Sequence, residues 1–170
     1  TDTAGNVTTD PRFPDAVNSH RYHGTIASDP SLDSSLLPAM HWFVSNAGAA
    51  NTRNGTRGAL FFEGEFYDNI LTDLHGQSTS GFPKKSYDFE FNSGERFRWQ
   101  QGKKRVKDIN LLTNWADKAK VRNAMGYGLA AMMGEPCHYA KVVRVQQNGS
   151  FFSVADMVED GDDRFLDRVG

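Results

Sequence analysis

The residues with the clearest chemical potential lie between Gly76 and Lys85, in the stretch Gly76-Gln77-Ser78-Thr79-Ser80-Gly81-Phe82-Pro83-Lys84-Lys85. Glycine turns leave backbone N–H groups free to face an anion, while hydroxyls and an ammonium group add donors and charge. Gly76 and Gly81 have P-loop spacing, but Phe82-Pro83 stand where Lys and Ser/Thr are required, which excludes that motif. What remains is a loose turn of Gly76, Ser78, Thr79 and Gly81 over phosphates, with a strand-borne lysine as a point charge. The alternative is a polar hairpin loop whose lysines protect a hydrophobic strand from edge pairing.

Other clusters offer less. Arg96, Arg98, Lys103, Lys104, Arg105 and Lys107, interleaved with Phe97 and Trp99, suit a nucleic-acid backbone or an acidic substrate, or form a solvated basic loop. Asp156 to Asp167 matches a calcium loop at Asp160 and Gly161, but Val158 stands at a ligand position and the bidentate Glu is missing. His20-x-x-His23, His41, His75 and His138 have no zinc spacing with Cys137, so they read as core or capped histidines and no metal site is expected. Glu63 and Glu65 would share a strand face, as paired surface acids commonly do. The single cysteine excludes an internal disulfide. Sequons at Asn6, Asn54 and Asn148 favour a secreted or cell-surface glycoprotein.

The elements that must hold these groups fit one ordinary domain. The chain has 170 residues, 38% of them hydrophobic, and 19 Lys+Arg against 21 Asp+Glu, a net charge of -2. That balance gives no overall electrostatic case for nucleic acid or a membrane surface. No apolar run reaches the roughly 20 residues of a membrane span. The opening Thr1-Asp2-Thr3-Ala4-Gly5 has neither Met nor a signal stretch, which suggests a piece of something longer. Residues 1–40 read as an extended lead-in, rich in Thr, Asp, Ser, Asn and Pro, to a domain over 41–170.

Short β-prone runs at His41-Trp42-Phe43-Val44 and Gly58-Ala59-Leu60-Phe61-Phe62 predict two strands joined by a flexible Gly/Asn-rich loop. A strand from Phe66 to Leu74 ends at Gly76, and Tyr87, Phe89 and Phe91 alternate with polar residues in the plainest half-buried strand. Val121, Ala124, Met125, Gly128, Leu129 and Met132 form one helical stripe, with Asp117 as N-cap and Gly134 and Pro136 as the stop. Ala140 to Val145 and Phe151 to Val158 flank Asn148-Gly149, the pair a type I′ hairpin turn favours. The expected fold is α+β, an antiparallel sheet packed against one long helix.

Several ordered segments are together similar to the spore-coat protein H (CotH) kinase family. They are Glu65-Phe66-Tyr67-Asp68-Asn69, Leu74-His75-Gly76-Gln77-Ser78-Thr79, Phe82-Pro83-Lys84-Lys85-Ser86-Tyr87, Asn110 to Asp117, Val121-Arg122-Asn123-Ala124, and Asn148 to Phe152 with Val158-Glu159. The resemblance implies the small lobe of an atypical, secreted or surface-associated protein kinase using ATP and Mg²⁺. It implies that the Gly76 to Gly81 loop covers phosphates, that Lys85 or Lys84 is the strand lysine, and that Arg122 reaches phosphate. Glu159 would lead into the hinge beside the adenine. One departure is His75, where family members commonly carry Arg.

The large lobe that would bring metal ligands and the catalytic base is expected downstream of Gly170, so catalytic residues are not expected in this chain. Its expected partners are that lobe or an acceptor protein. The competing reading is a non-catalytic extracellular binding module on the same scaffold.

Overall fold

Alternating apolar residues give this chain strands with one greasy face, and the sheet buries those faces by closing on itself. The computed structural model describes residues 35–170. Its strands are β1 (Ala39–Val44), β2 (Thr56–Phe62), β3 (Glu65–His75), β4 (Ser86–Glu90), β5 (Asp108–Leu112), β6 (Ala140–Gln147) and β7 (Ser150–Glu159). They form a closed barrel in the order β1-β2-β3-β4-β5-β7-β6. All neighbours are antiparallel except β1 and β6, which pair in parallel from Ala39↔Arg144 to Trp42↔Gln147 and complete the ring.

Met40, Trp42 and Val44 alternate into the interior from β1, as Tyr87 and Phe89 do from β4 and Ile109 and Leu111 from β5. The Asn148-Gly149 turn joins β6 to β7 with both residues at positive φ, 51° and 83°, as a type I′ turn requires. Asn148 also accepts from Val44 N at 2.9 Å through Oδ1 and donates to Val44 O at 2.8 Å through Nδ2, tying the hairpin to β1 at the seam. The nitrogen that would carry a sugar is thus engaged in that bond. Asn54 lies exposed, and Asn6 falls outside the described residues.

The basic run is largely architecture. Phe97 and Trp99 are buried with Val106, and the Phe97↔Val106 bridge folds the segment across the barrel end. Phe97 packs 5.8 Å from Phe62 and 5.3 Å from Tyr67, and Trp99 stacks on Tyr139 at 5.5 Å. Arg98 and Arg105 pair with Glu65 at 3.6 and 2.7 Å, and Lys104 donates to Asp167 O at 3.0 Å. Glu63 turns away from Glu65 at positive φ (45°) and pairs with Lys141 at 2.8 Å.

The expected open sheet packed on one long helix, in the manner of a kinase small lobe, is overturned by this closure. The helices are short: α1 (Ala47–Ala50), α2 (Arg122–Met132) and α3 (Asp163–Val169). The apolar stripe was correctly located on α2, but it does not cover the sheet. No residue of α2 is buried, and Met125, Leu129 and Met132 are large exposed apolar side chains. A barrel fills its own interior and needs no helical lid. A short 3₁₀ turn, Ser78–Gly81, stands where the glycine loop was expected, and α1 forms within the Gly/Asn-rich loop.

One exterior residue gives the fold a pH signature. Burial, followed by the charges of Asp108, Asp73, Asp160 and Glu90, pushes the Asp88 carboxyl up to about 7. The folded state therefore holds a proton that the unfolded chain releases near pH 4. This contribution leaves stability unaffected below about pH 4, lowers it as pH rises towards 7, and is constant above that. Asp88→Asn is expected to raise the melting temperature at pH 8 and leave it unchanged at pH 4, which a thermal unfolding series across pH would show.

Candidate functional site

The C-terminal ends of β3 and β5 and the start of β4 meet at one rim of the barrel, and a cleft of about 450 Å³ opens there. Its lining brings together Gly76, Ser78, Thr79, Lys84 and Arg122 with His75, Ser86, Asn114, Asp117 and Asn123. Gly81, Lys85 and Glu159, also expected at the phosphates, do not line it.

The glycine turn is held from behind. Gly76 has φ +83°, and a Cβ there would overlap Thr79 Oγ1. Only glycine adopts this conformation without strain and leaves Thr79 its place. Arg53, from the loop after α1, donates through Nη1 to Leu74 O at 2.8 Å and through Nη2 to Gly76 O. A guanidinium thus clamps the turn although position 75 is His. Burial holds the His75 imidazole below its ordinary pKa, so it is neutral at pH 7 and adds no charge to the cleft. Sequence reasoning missed Arg53, because an arginine in a Gly/Asn-rich loop shows no pattern that separates it from a solvated one.

The two lysines part at the strand edge. Side chains alternate along β4, where Tyr87 and Phe89 are buried. Lys84 lines the cleft with Ser86 and also borders a second hollow beside Tyr87, Pro83 and Phe152, whereas Lys85 lines only that second hollow and donates to Ser80 O.

Across the cleft, β5 runs into a tight segment ahead of α2. Asn114 has φ 49°, and its carbonyl accepts from Lys120 Nζ. Its Nδ2 donates to the buried Asp156 at 2.7 Å, which fixes the segment against β7. Val121 is the N-cap residue and makes no side-chain cap bond. Asp117 caps from a distance instead, accepting from Arg122 N at 3.3 Å and Ala119 N at 3.0 Å. It also pairs with Arg122 Nε at 3.2 Å, while the Arg122 side chain stays 78% exposed. The cleft thus holds two cations, Lys84 and Arg122, one carboxylate and the N-terminus of an eleven-residue helix.

Comparison with known protein families decides the affiliation: the model described as CotH kinase protein matches residues 73–170, more than half the chain. The chain belongs to the CotH kinase family. The match begins two residues before His75 and takes in the glycine turn, Lys84, the Asn114 to Asn123 segment and α2, so the whole cleft lining of this CotH-family chain falls within it. Arg53, the clamp behind the turn, lies outside it. No curated protein matches the chain.

Glu159 lies apart from the cleft. It is 2% exposed, accepts from Tyr139 N at 3.1 Å and is forked by Arg168, which also donates to Cys137 O at 2.8 Å and lies 3.9 Å over the Tyr139 ring. In the stretch read against a calcium loop, Asp162 caps α3 by accepting from Arg164 N and Phe165 N, both at 2.9 Å. Among the described residues no group of three or more His, Cys, Asp or Glu side chains is placed to hold a metal ion. No helix among them is long and apolar enough to cross a membrane.

Proposed function

We propose that this chain supplies the nucleotide-phosphate-binding part of a CotH-type, ATP-dependent kinase. The observation that carries the reading is the convergence of the clamped glycine turn, Ser78, Thr79, Lys84 and Arg122 on one cleft. Backbone N–H groups, hydroxyls and Lys84 on the glycine-turn side, and Arg122 with a helix N-terminus across from them, suit a polyphosphate. The volume, about 450 Å³, is ordinary for a small-molecule site. Lys84, rather than Lys85, is the lysine that meets phosphate. Magnesium fits the same wall: a hard cation is held by one or two carboxylates plus phosphate oxygens, and Asp117 is the acid in the lining. A cation there would also draw Asp117 off Arg122 and release the guanidinium for phosphate.

Thermal unfolding with and without Mg-ATP tests this. If ATP binds near ~10 μM, a millimolar dose adds about 2.7 kcal/mol, or roughly 5–10 °C for a chain of this size. Lys84→Ala is expected to abolish most of that rise and Lys85→Ala to preserve it. Gly76→Ala is expected to abolish it too, at a cost of about 1–2 kcal/mol from an L-residue in the left-handed region.

A second reading, a non-catalytic binding module, draws on the exposed stripe of Met125, Leu129, Met132 and Met133 along and just beyond α2. Patches of this kind commonly mark protein contacts. Absence of any Mg-ATP effect on the wild-type chain would favour it.

A further inference from the structure

We propose that the opposite end of β4 carries a separate pocket for one phosphoryl group, as free phosphate or as a phosphate monoester. Ser86, at the start of β4, lines the glycine-turn cleft, whereas Glu90, at its end, lines a hollow of about 220 Å³. Strand register places Arg57 of β2 and Glu90 in one row, both flanking Leu71 of β3. The segment that plugs the barrel end adds Arg96 and Lys107, with Asn92 and Ser93 beside them. Three cations and one carboxylate, the exposed Glu90, therefore line the hollow, with Asp108 paired to Lys107.

Hydrogen bonding points to an anion. Arg96 lines the hollow, and among the described residues none of its guanidinium nitrogens has a hydrogen-bond partner, its Nη1 being enclosed by protein. Arg57 spends Nη1 on Asn69 O at 3.1 Å. Lys107 is shared with Asp108 at 3.0 Å. Among the described residues neither arginine has a carboxylate partner, and a guanidinium fork matches two oxygens of a phosphoryl group.

Size and neighbours narrow the ligand. The hollow is about half the volume of the glycine-turn cleft, suited to one tetrahedral dianion rather than a nucleotide. A polyanion needs a continuous basic stripe. Here Arg98 and Arg105 are bound to Glu65 and Lys104 donates to Asp167 O, which breaks the basic run into separate groups rather than a stripe.

The test is a titration of the ¹⁵N-labelled chain with inorganic phosphate, against sodium chloride at matched ionic strength, read by amide shifts. Saturable shifts at Asn92, Ser93 and Arg96 are expected, weakened about tenfold or more in Arg96→Ala, with Arg57→Ala as a second variant should the first not fold. Shifts equal in chloride, shifts confined to Gly76 through Thr79, or shifts unchanged in both variants would overturn the proposal. A parallel titration with O-phosphoserine separates the sources. Binding comparable to phosphate supports a monoester ligand, and no binding overturns that half and leaves free phosphate.

Discussion

Arg168→Ala is expected to lower the unfolding free energy by about 3–5 kcal/mol, because it strands a carboxylate in the interior. The Glu159 side chain is 1% exposed and that of Arg168 16%, so the carboxylate is shielded from water and depends on this partner. Arg168 Nε meets Oε1 at 3.1 Å and Nη2 meets Oε2, a bidentate fork rather than a loose surface pair. The same guanidinium fixes α3 over Tyr139 and holds the carbonyl of Cys137. Urea denaturation of both proteins would measure the loss. Replacing both partners with apolar residues should cost much less than the single change, since no charge is then left unpaired. A loss below about 1 kcal/mol, typical of exposed pairs, would show that the fork does not organise this end of the barrel.

Trp42→Ala should cost a similar amount, about 3–5 kcal/mol, for a different reason. Trp42 is fully buried, 4.8 Å from the Tyr87 ring, 5.3 Å from Phe89 and 5.8 Å from Phe152. These rings come from β4 and β7, so one side chain joins strands that are not neighbours in the barrel, and removing it leaves a void that a closed sheet cannot collapse to fill. Trp42→Phe is expected to cost distinctly less. Phe keeps most of the packing, and it removes Nε1, which is buried without a hydrogen-bond partner. Urea midpoints of the two variants give the comparison, and equal losses would mean that packing at this position does not hold the ring of strands together.

Local pattern made the strands legible and left the closure hidden. The Asn148-Gly149 turn, the alternation through Tyr87 and Phe89, and the stop at Gly134 (φ +78°) all act over a few residues, and each is present. The parallel β1–β6 pair joins segments about a hundred residues apart, and no periodicity announces such a contact. The α2 stripe shows the converse: apolar spacing identifies a face, not what covers it. β5 was missed because Asp108 and Asn110 break up a five-residue run, although Ile109 and Leu111 alternate inward. α3 was missed because its acidic opening resembled a calcium loop, whereas Asp162 is its N-cap.

The candidate site was partly legible in the same sense. Of the residues expected at the phosphates, Gly76, Ser78, Thr79, Lys84 and Arg122 line one cleft and Gly81, Lys85 and Glu159 do not. That Lys84 lines this cleft and Lys85 does not follows strand parity, since Lys85 shares its register with the inward Tyr87 and Phe89. The place of Glu159 was not legible, because Arg168 reaches it from a helix that the pattern did not show.

The most direct test of the cleft is a Mg-ATP titration of the ¹⁵N-labelled chain, followed residue by residue. A phosphate-binding cleft predicts saturating shifts at Gly76, Gln77, Ser78, Thr79 and Arg122, with Lys84→Ala weakening them. Shifts centred on Tyr139 and Glu159, or none at saturating nucleotide, would contradict it.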